Sequence, residues 1–198
     1  MAVIFVGGIN GVGKTTLAHE ACRKISCRVI DGSFALMKEL GISGNYEALR
    51  NLGEDRKGRA LERVISGLAQ DDGVMLFTGH FVKVLSGEIS PSRGSWYRHC
   101  SAFVLIEGSP RAMAERIRRD EDSKRRAGRM LFSSKTMTLS EQELFLAEAQ
   151  RQARVVAQEL SREFSVPCHF IFNAEGCMDS AVETLCRIAG GYAQSTLS

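Results

Sequence analysis

Short apolar runs recur along the chain, and a longer stretch with helical periodicity follows most of them. The first run, Ala2 to Val6, enters a cluster of glycines, and a helical pattern then spans about Lys14 to Ser26. A second run, Arg28 to Ile30, ends at Asp31-Gly32. Helical segments fill the stretch from Ser33 to Gln70, with breaks around Gly41 to Asn45 and at Gly53. Asp71-Asp72-Gly73 turns the chain into a third run, Val74 to Thr78, and the fourth and fifth are Ala102 to Glu107 and His169 to Phe172. Two-residue alternation is weak throughout. Strands with no polar face belong to a sheet covered on both sides, so the pattern predicts a single α/β domain with a five-stranded parallel sheet.

Turn and cap chemistry refines the boundaries. The stretch Ser86 to Gly94 is rich in Gly, Ser and Pro and reads as a loop. Ser109-Pro110 is a capping serine with proline at the first helical position. Ser140 to Glu143 reads as a capping box that opens a long amphipathic helix to about Phe164. A last helix, Cys177 to Ala189, is expected to stop at Gly190-Gly191, with residues 193–198 as a frayed tail of a domain spanning 1–192.

Composition adds little against this picture. The 198 residues are 44% hydrophobic and 25% charged, with a net charge of +3, which suits a globular protein and does not argue for nucleic acid. No apolar run approaches the roughly 20 residues of a membrane span. The start lacks a basic region and a small-residue cleavage site, so it does not read as a signal peptide, and a cytoplasmic location is expected. The six cysteines form no C-x-x-C pair and are expected to be core thiols.

The chemistry starts at Gly8-Ile9-Asn10-Gly11-Val12-Gly13-Lys14-Thr15, a complete G-x-x-x-x-G-K-[ST] string between an apolar strand and a helix. Glycines there let backbone N–H groups converge on phosphate oxygens, and the helix N-terminus adds its positive end. Gly8, Asn10, Gly11, Val12, Gly13, Lys14, Thr15 and Thr16 are the expected ATP-binding residues. Lys14 is the cation that follows the γ-phosphoryl, and Thr15 supplies a hydroxyl to Mg²⁺. Nucleotides are therefore the expected partners, with no nucleic acid and no membrane.

Together with this loop, Leu49-Arg50-Asn51-Leu52, Thr78-Gly79-His80 and an arginine-rich stretch after the fourth strand resemble the archaeal-type adenylate kinases and related P-loop nucleoside monophosphate kinases. The resemblance implies a P-loop NTPase fold with strand order 2-3-1-4-5. It also implies a nucleoside monophosphate region at about 33–70, in which Arg50 grips the acceptor phosphate. A lid at about 116–135 would close Arg116, Arg119 and Arg125 over the transferring group. Asn173, after the fifth strand, stands where such kinases contact adenine. His80 matches the histidine of the family's Asp-x-His motif, but Thr78 stands where the aspartate should be. Asp31 and Glu107, both at strand ends, are the candidate substitutes, with Asp31 preferred as metal and substrate ligand.

The leading expectation is a kinase that transfers the γ-phosphoryl of MgATP to a nucleoside monophosphate. Two alternatives stay open. One is a small-molecule hydroxyl kinase with Asp31 as the base, and the other is a P-loop ATPase or assembly factor with no such acceptor.

Overall fold

A computed structural model of the protein describes residues 2–85, 87–122 and 137–194. The elements follow in chain order as β1 (Ala2–Gly7), α1 (Lys14–Lys24), β2 (Cys27–Asp31), α2 (Gly32–Glu39), α3 (Tyr46–Asn51), α4 (Glu54–Leu68) and β3 (Val74–Thr78). A hairpin comes next, β4 (Val82–Leu85) and β5 (Glu88–Pro91), and then a 3-10 turn at Ser95–His99. The chain closes with β6 (Ala102–Glu107), α5 (Pro110–Asp122), α6 (Leu139–Phe164), β7 (Cys168–Phe172) and α7 (Met178–Gln194).

The main sheet is parallel and ordered β2-β3-β1-β6-β7, which is the expected 2-3-1-4-5 once the hairpin is set aside. Every residue of β1, β3 and β6 is buried, while the edge strands β2 and β7 are only partly so. Continuous apolar runs thus mark the three central strands, which have helices on both faces. The registers Asp31↔Thr78, Val6↔Thr78, Gly7↔Leu105 and Glu107↔Phe172 line up the strands' C-terminal ends along one edge of the sheet. Open α/β sheets put ligands in the crevice at that edge, where the strand order reverses.

Beneath that edge lies a knot of rings. Phe5 meets Phe81 at 4.9 Å, Tyr97 at 5.3 Å and Trp96 at 5.4 Å between centroids. Two strand-end glycines exist because of it: a Cβ on Gly7 would come within 2.3 Å of Phe81, and one on Gly79 within 2.6 Å of Phe5. The backbone that enters the phosphate loop and the backbone that leaves β3 therefore rest directly on aromatic faces.

Several boundaries differ from those expected. Part of the Ser86 to Gly94 loop is strand β5, which pairs antiparallel with β4 through a turn in which Gly87 has φ 81°. The helix α6 starts two residues earlier than the capping box had indicated, because Thr138 is the cap and Glu141 its reciprocal partner. The helix α7 does not stop at Gly190-Gly191 but runs to Gln194, since Ile188, Tyr192 and Ala193 pack on the core and hold the turn together. Residues 193 and 194 are accordingly helical, and 195–198 lie outside the described residues.

The cysteines also depart from expectation. Cys22 and Cys27 form a disulfide, with Cα atoms 5.0 Å apart, rather than being free thiols. The last turn of α1 and the reversal into β2 bring the two within bridging range, a proximity that their spacing does not announce. Cys100 remains a buried thiol, pushed up to about 12 by desolvation. None of the described helices is long and apolar enough to cross a membrane.

Candidate active site

A cavity of about 370 Å³ opens at the C-terminal edge of the sheet. Its floor is the loop between β1 and α1. Gly13 caps α1 in the left-handed region, φ 93° and ψ 15°, and no side chain caps the helix. The first-turn N–H groups of α1, which have no partner within the helix, are thus left for a ligand at its positive end. Two of the loop's glycines also have no room for a side chain. A Cβ on Gly8, at φ 155°, would meet the Ile106 carbonyl at 2.6 Å, and one on Gly13 would meet Asn173 Nδ2 at 2.9 Å. An amide-lined cradle of this kind fits the phosphates of a nucleoside triphosphate.

Lys14 is only 8% exposed, and its Nζ donates to the Ile9 carbonyl at 3.0 Å, which curls the side chain over the loop. Thr15 and Thr16 stand exposed at the start of α1 and line the cavity. Asn173, 7% exposed, locks the loop from the side. Its Nδ2 donates to the Val12 carbonyl at 2.8 Å, and its backbone N–H donates to the Glu107 carbonyl at 2.7 Å. The residue expected at the adenine end therefore also buttresses the phosphate loop.

On one side of the cradle the cavity is lined by Asp31, Ser33, Thr78, Gly79 and His80. Asp31 is the N-cap of α2, and its Oδ1 accepts from the Phe34 N–H at 2.9 Å, which fixes the carboxylate at the end of β2. The His80 ring sits with Nδ1 2.9 Å from the Gly8 carbonyl. A carbonyl can only accept, so Nδ1 carries the hydrogen, and the ring ties the end of β3 to the phosphate loop. Thr78 is buried, and its Oγ1 donates to the Ile30 carbonyl at 3.4 Å.

On the other side stand Arg116 and Asp120 of α5, together with Ala174, Gly176 and Met178 around the start of α7. Arg116 reaches the loop, with Nη1 3.4 Å from the Gly11 carbonyl. Arg118 instead spans to α6, donating to Gln142 Oε1 and to the Met137 carbonyl, both at 2.9 Å. It ties the two ends of the expected lid together.

Four of the sequence-predicted residues need correction or qualification. Arg119 shares no face with Arg116 toward the cavity; it is exposed, and its Nε turns back to the Glu115 carbonyl. Arg50 is exposed on α3 and does not line the cavity. Glu107 is not an alternative metal ligand, because both its carboxylate oxygens accept from Arg154, whose guanidinium also covers the Phe170 ring at 4.4 Å. Arg125 lies outside the described residues. Conversely, sequence reasoning passed over Ser33, Asp120 and Met178. Ser33 lies two residues past a chosen aspartate, and Asp120 was hidden among the lid's charges.

Magnesium keeps several waters and takes one or two carboxylates besides phosphate oxygens. Among the described residues no group of three or more His, Cys, Asp or Glu is assembled for a metal ion. Thr15 and Asp31 are the residues that would hold it, beside the phosphates, and this sparse oxygen set fits Mg²⁺ and not a caged transition metal.

Residues 7–130 match the AAA domain family. The chain belongs to that family. A search of curated proteins finds no match to this AAA domain protein. Among solved structures it is similar to a shikimate kinase from Bacteroides thetaiotaomicron, at 18% identity and TM-score 0.60, over 94% of this chain and 97% of that one. A shikimate kinase from Acinetobacter baumannii in complex with shikimate matches at 15% identity and TM-score 0.57, over 96% and 94%. A gluconokinase from Sinorhizobium meliloti 1021 matches at 18% identity and TM-score 0.53, over 98% and 97%. At these identities the likeness concerns the fold, which is that of the P-loop kinases and not of the archaeal-type adenylate kinases in particular.

Proposed function

We propose that this protein is an ATP-dependent phosphotransferase that moves the γ-phosphoryl group onto a hydroxyl of a small molecule, with Asp31 as the base. The observation that carries this reading is the position of Asp31. Its carboxylate shares one cavity with Lys14 and Thr15, whereas Arg50, the expected grip on a phosphate-bearing acceptor, is exposed outside it. A phosphate acceptor attacks with an oxygen that is already ionised; a hydroxyl acceptor needs its proton removed. The similarity to structures named shikimate kinase and gluconokinase supports the same choice over a nucleoside monophosphate kinase.

In this reading the acceptor lies against Asp31, Ser33 and His80, and ATP lies in the cradle. Asp31 takes the hydroxyl proton, and the acceptor oxygen bonds to the γ-phosphorus. The bond from that phosphorus to the β–γ bridging oxygen breaks, and ADP leaves. Lys14, Arg116 and the cradle amides stabilise the charge on the transferring group, the term that dominates phosphoryl transfer. Magnesium, when bound, neutralises charge on the phosphate oxygens. The test is ADP formation from MgATP with a panel of sugars, polyols, hydroxy acids, nucleosides, nucleoside monophosphates and water. Turnover with hydroxyl compounds is expected; turnover confined to nucleoside monophosphates, or to water, overturns the proposal.

A further inference from the structure

The peptide unit that joins Glu107 to Gly108 is held on both edges. Its carbonyl accepts from the Asn173 backbone N–H at 2.7 Å, and its N–H donates to Gln150 Oε1 of α6 at 2.9 Å. The unit is planar, with its carbonyl and N–H pointing opposite ways, so turning one turns the other. Nothing in the residue itself resists that turn, because Gly108 lacks a Cβ and glycine admits either sign of φ. Glycine suits the close packing there: a Cβ would lie 3.3 Å from Val12 Cγ2 and 3.4 Å from the Asn173 carbonyl oxygen. The strand end that supports the phosphate loop therefore contains a peptide that needs an outside anchor. Gln150 supplies it, and Arg154, one turn further along α6, grips the Glu107 carboxylate beside it. From this peptide the route to the loop is short. Its carbonyl fixes the backbone of Asn173, whose Nδ2 donates to the Val12 carbonyl at 2.8 Å.

We infer that Gln150 is a positioning residue for the nucleotide cradle, although it does not line the cavity. It sets the plane of the 107–108 peptide and, through Asn173, the course of the phosphate loop at Val12. The inference rests on the donor half of the proposed function and is independent of the acceptor.

Calorimetric binding of MgATP tests it without any acceptor, with thermal melting recorded for each variant. Gln150→Leu removes the accepting oxygen at similar volume, and Gln150→Glu keeps one. Leu160→Ala, at a buried position about 15 Å further along α6, is the control for lost stability alone. Gln150→Leu should weaken MgATP binding about twofold to thirtyfold, the range for residues that act on a site they do not touch. Gln150→Glu should bind nearly as the intact protein does, and Leu160→Ala should melt lower without a comparable loss of affinity. In an Asn173→Ala background, Gln150→Leu should weaken binding little further, because the route is already cut. Unchanged affinity in Gln150→Leu overturns the inference. So does an equal loss in Gln150→Glu or in Leu160→Ala, or a loss that simply adds to that of Asn173→Ala. Failure of the intact protein to bind MgATP would instead overturn the donor reading itself.

Discussion

Asp31 and Thr78 are register partners at the C-terminal ends of the adjacent parallel strands β2 and β3, and both line the phosphate cavity. An Asp-x-His motif would place a carboxylate at position 78; in this chain position 78 is a threonine, and the carboxylate at this end of the sheet is that of Asp31 on the adjacent strand. Two consequences follow for the metal. Asp31→Asn should raise the free Mg²⁺ needed for half-maximal activity. Thr78→Asp should lower it, at a cost in metal-free stability, because a second carboxylate would be buried beside the first. Activity and melting temperature titrated against Mg²⁺ check both. If neither midpoint moves, position 78 does not face the metal.

Lys14 is a test of the whole site. Its Nζ rests on the Ile9 carbonyl in the structure, so removing it disturbs the loop but not the sheet beneath. Lys14→Ala should melt within a few degrees of the intact protein and lose about 10²- to 10³-fold in turnover, as for other preorganised charge contacts to a transition state. Unchanged turnover would remove the basis for a phosphotransferase.

The base and the arginine separate the two acceptor classes. With a hydroxyl acceptor, Asp31→Asn should depress kcat by about 10²- to 10⁴-fold, the usual contribution of a positioned base. Arg50→Ala should leave kcat nearly unchanged, since Arg50 is exposed on α3. Steady-state kinetics of the two variants on the best acceptor decides between them, and the opposite pattern returns the case to a phosphate-bearing acceptor.

The parts of this site written in consecutive residues were legible in the sequence. Gly8 to Thr15 carries its own strand, turn and helix start, and the apolar runs of β1, β3 and β6 are continuous because both faces of the sheet are covered. What packing decides was not legible. Arg119 and Asp120 are neighbours in a charged stretch, and only the rotation of α5 against the core turns Asp120 inward and Arg119 outward. Gly190-Gly191 would end an isolated helix, but the apolar contacts of Ile188 and Tyr192 carry α7 through. Glu107 looked like a free strand-end carboxylate until α6 brought Arg154 onto it from 47 residues away.

The Cys22–Cys27 bridge closes a very short loop between the phosphate-binding helix and the strand that ends in Asp31. Loop-closure entropy for a ring of this size gives roughly 2 kcal/mol of stabilisation. A reductant should therefore lower the melting temperature by about 4–8 °C, at the 2–4 °C per kcal/mol of a chain this size. The Cys22→Ser/Cys27→Ser double variant should already melt at the lower temperature and ignore the reductant. Thiol titration of the folded protein should gain two groups on reduction, while Cys100, pushed up to about 12 by burial, stays unreactive until the chain unfolds.

Asn173 holds the phosphate loop from outside the loop itself. Its amide donates to the Val12 carbonyl at 2.8 Å in a buried setting, and its backbone N–H is anchored on Glu107 at the end of β6. Asn173→Ala deletes the donor and leaves the Val12 carbonyl without that partner, a loss of about 1–3 kcal/mol for a buried group. Asn173→Asp is the sharper change, because an ionised carboxylate can only accept and would face a carbonyl oxygen. Both variants should raise KM for ATP, Asp more than Ala, because a loosened loop must be reordered before the phosphates can sit in it. Once ATP saturates, kcat should fall much less than in Lys14→Ala, since Asn173 positions the cradle through Val12. Melting temperature and the KM-against-kcat split, measured together, separate this from a contact to the adenine ring. A ring contact alone would raise KM for ATP with no change in the stability of the nucleotide-free protein, and that result would assign Asn173 to the base and leave Val12 without its buttress.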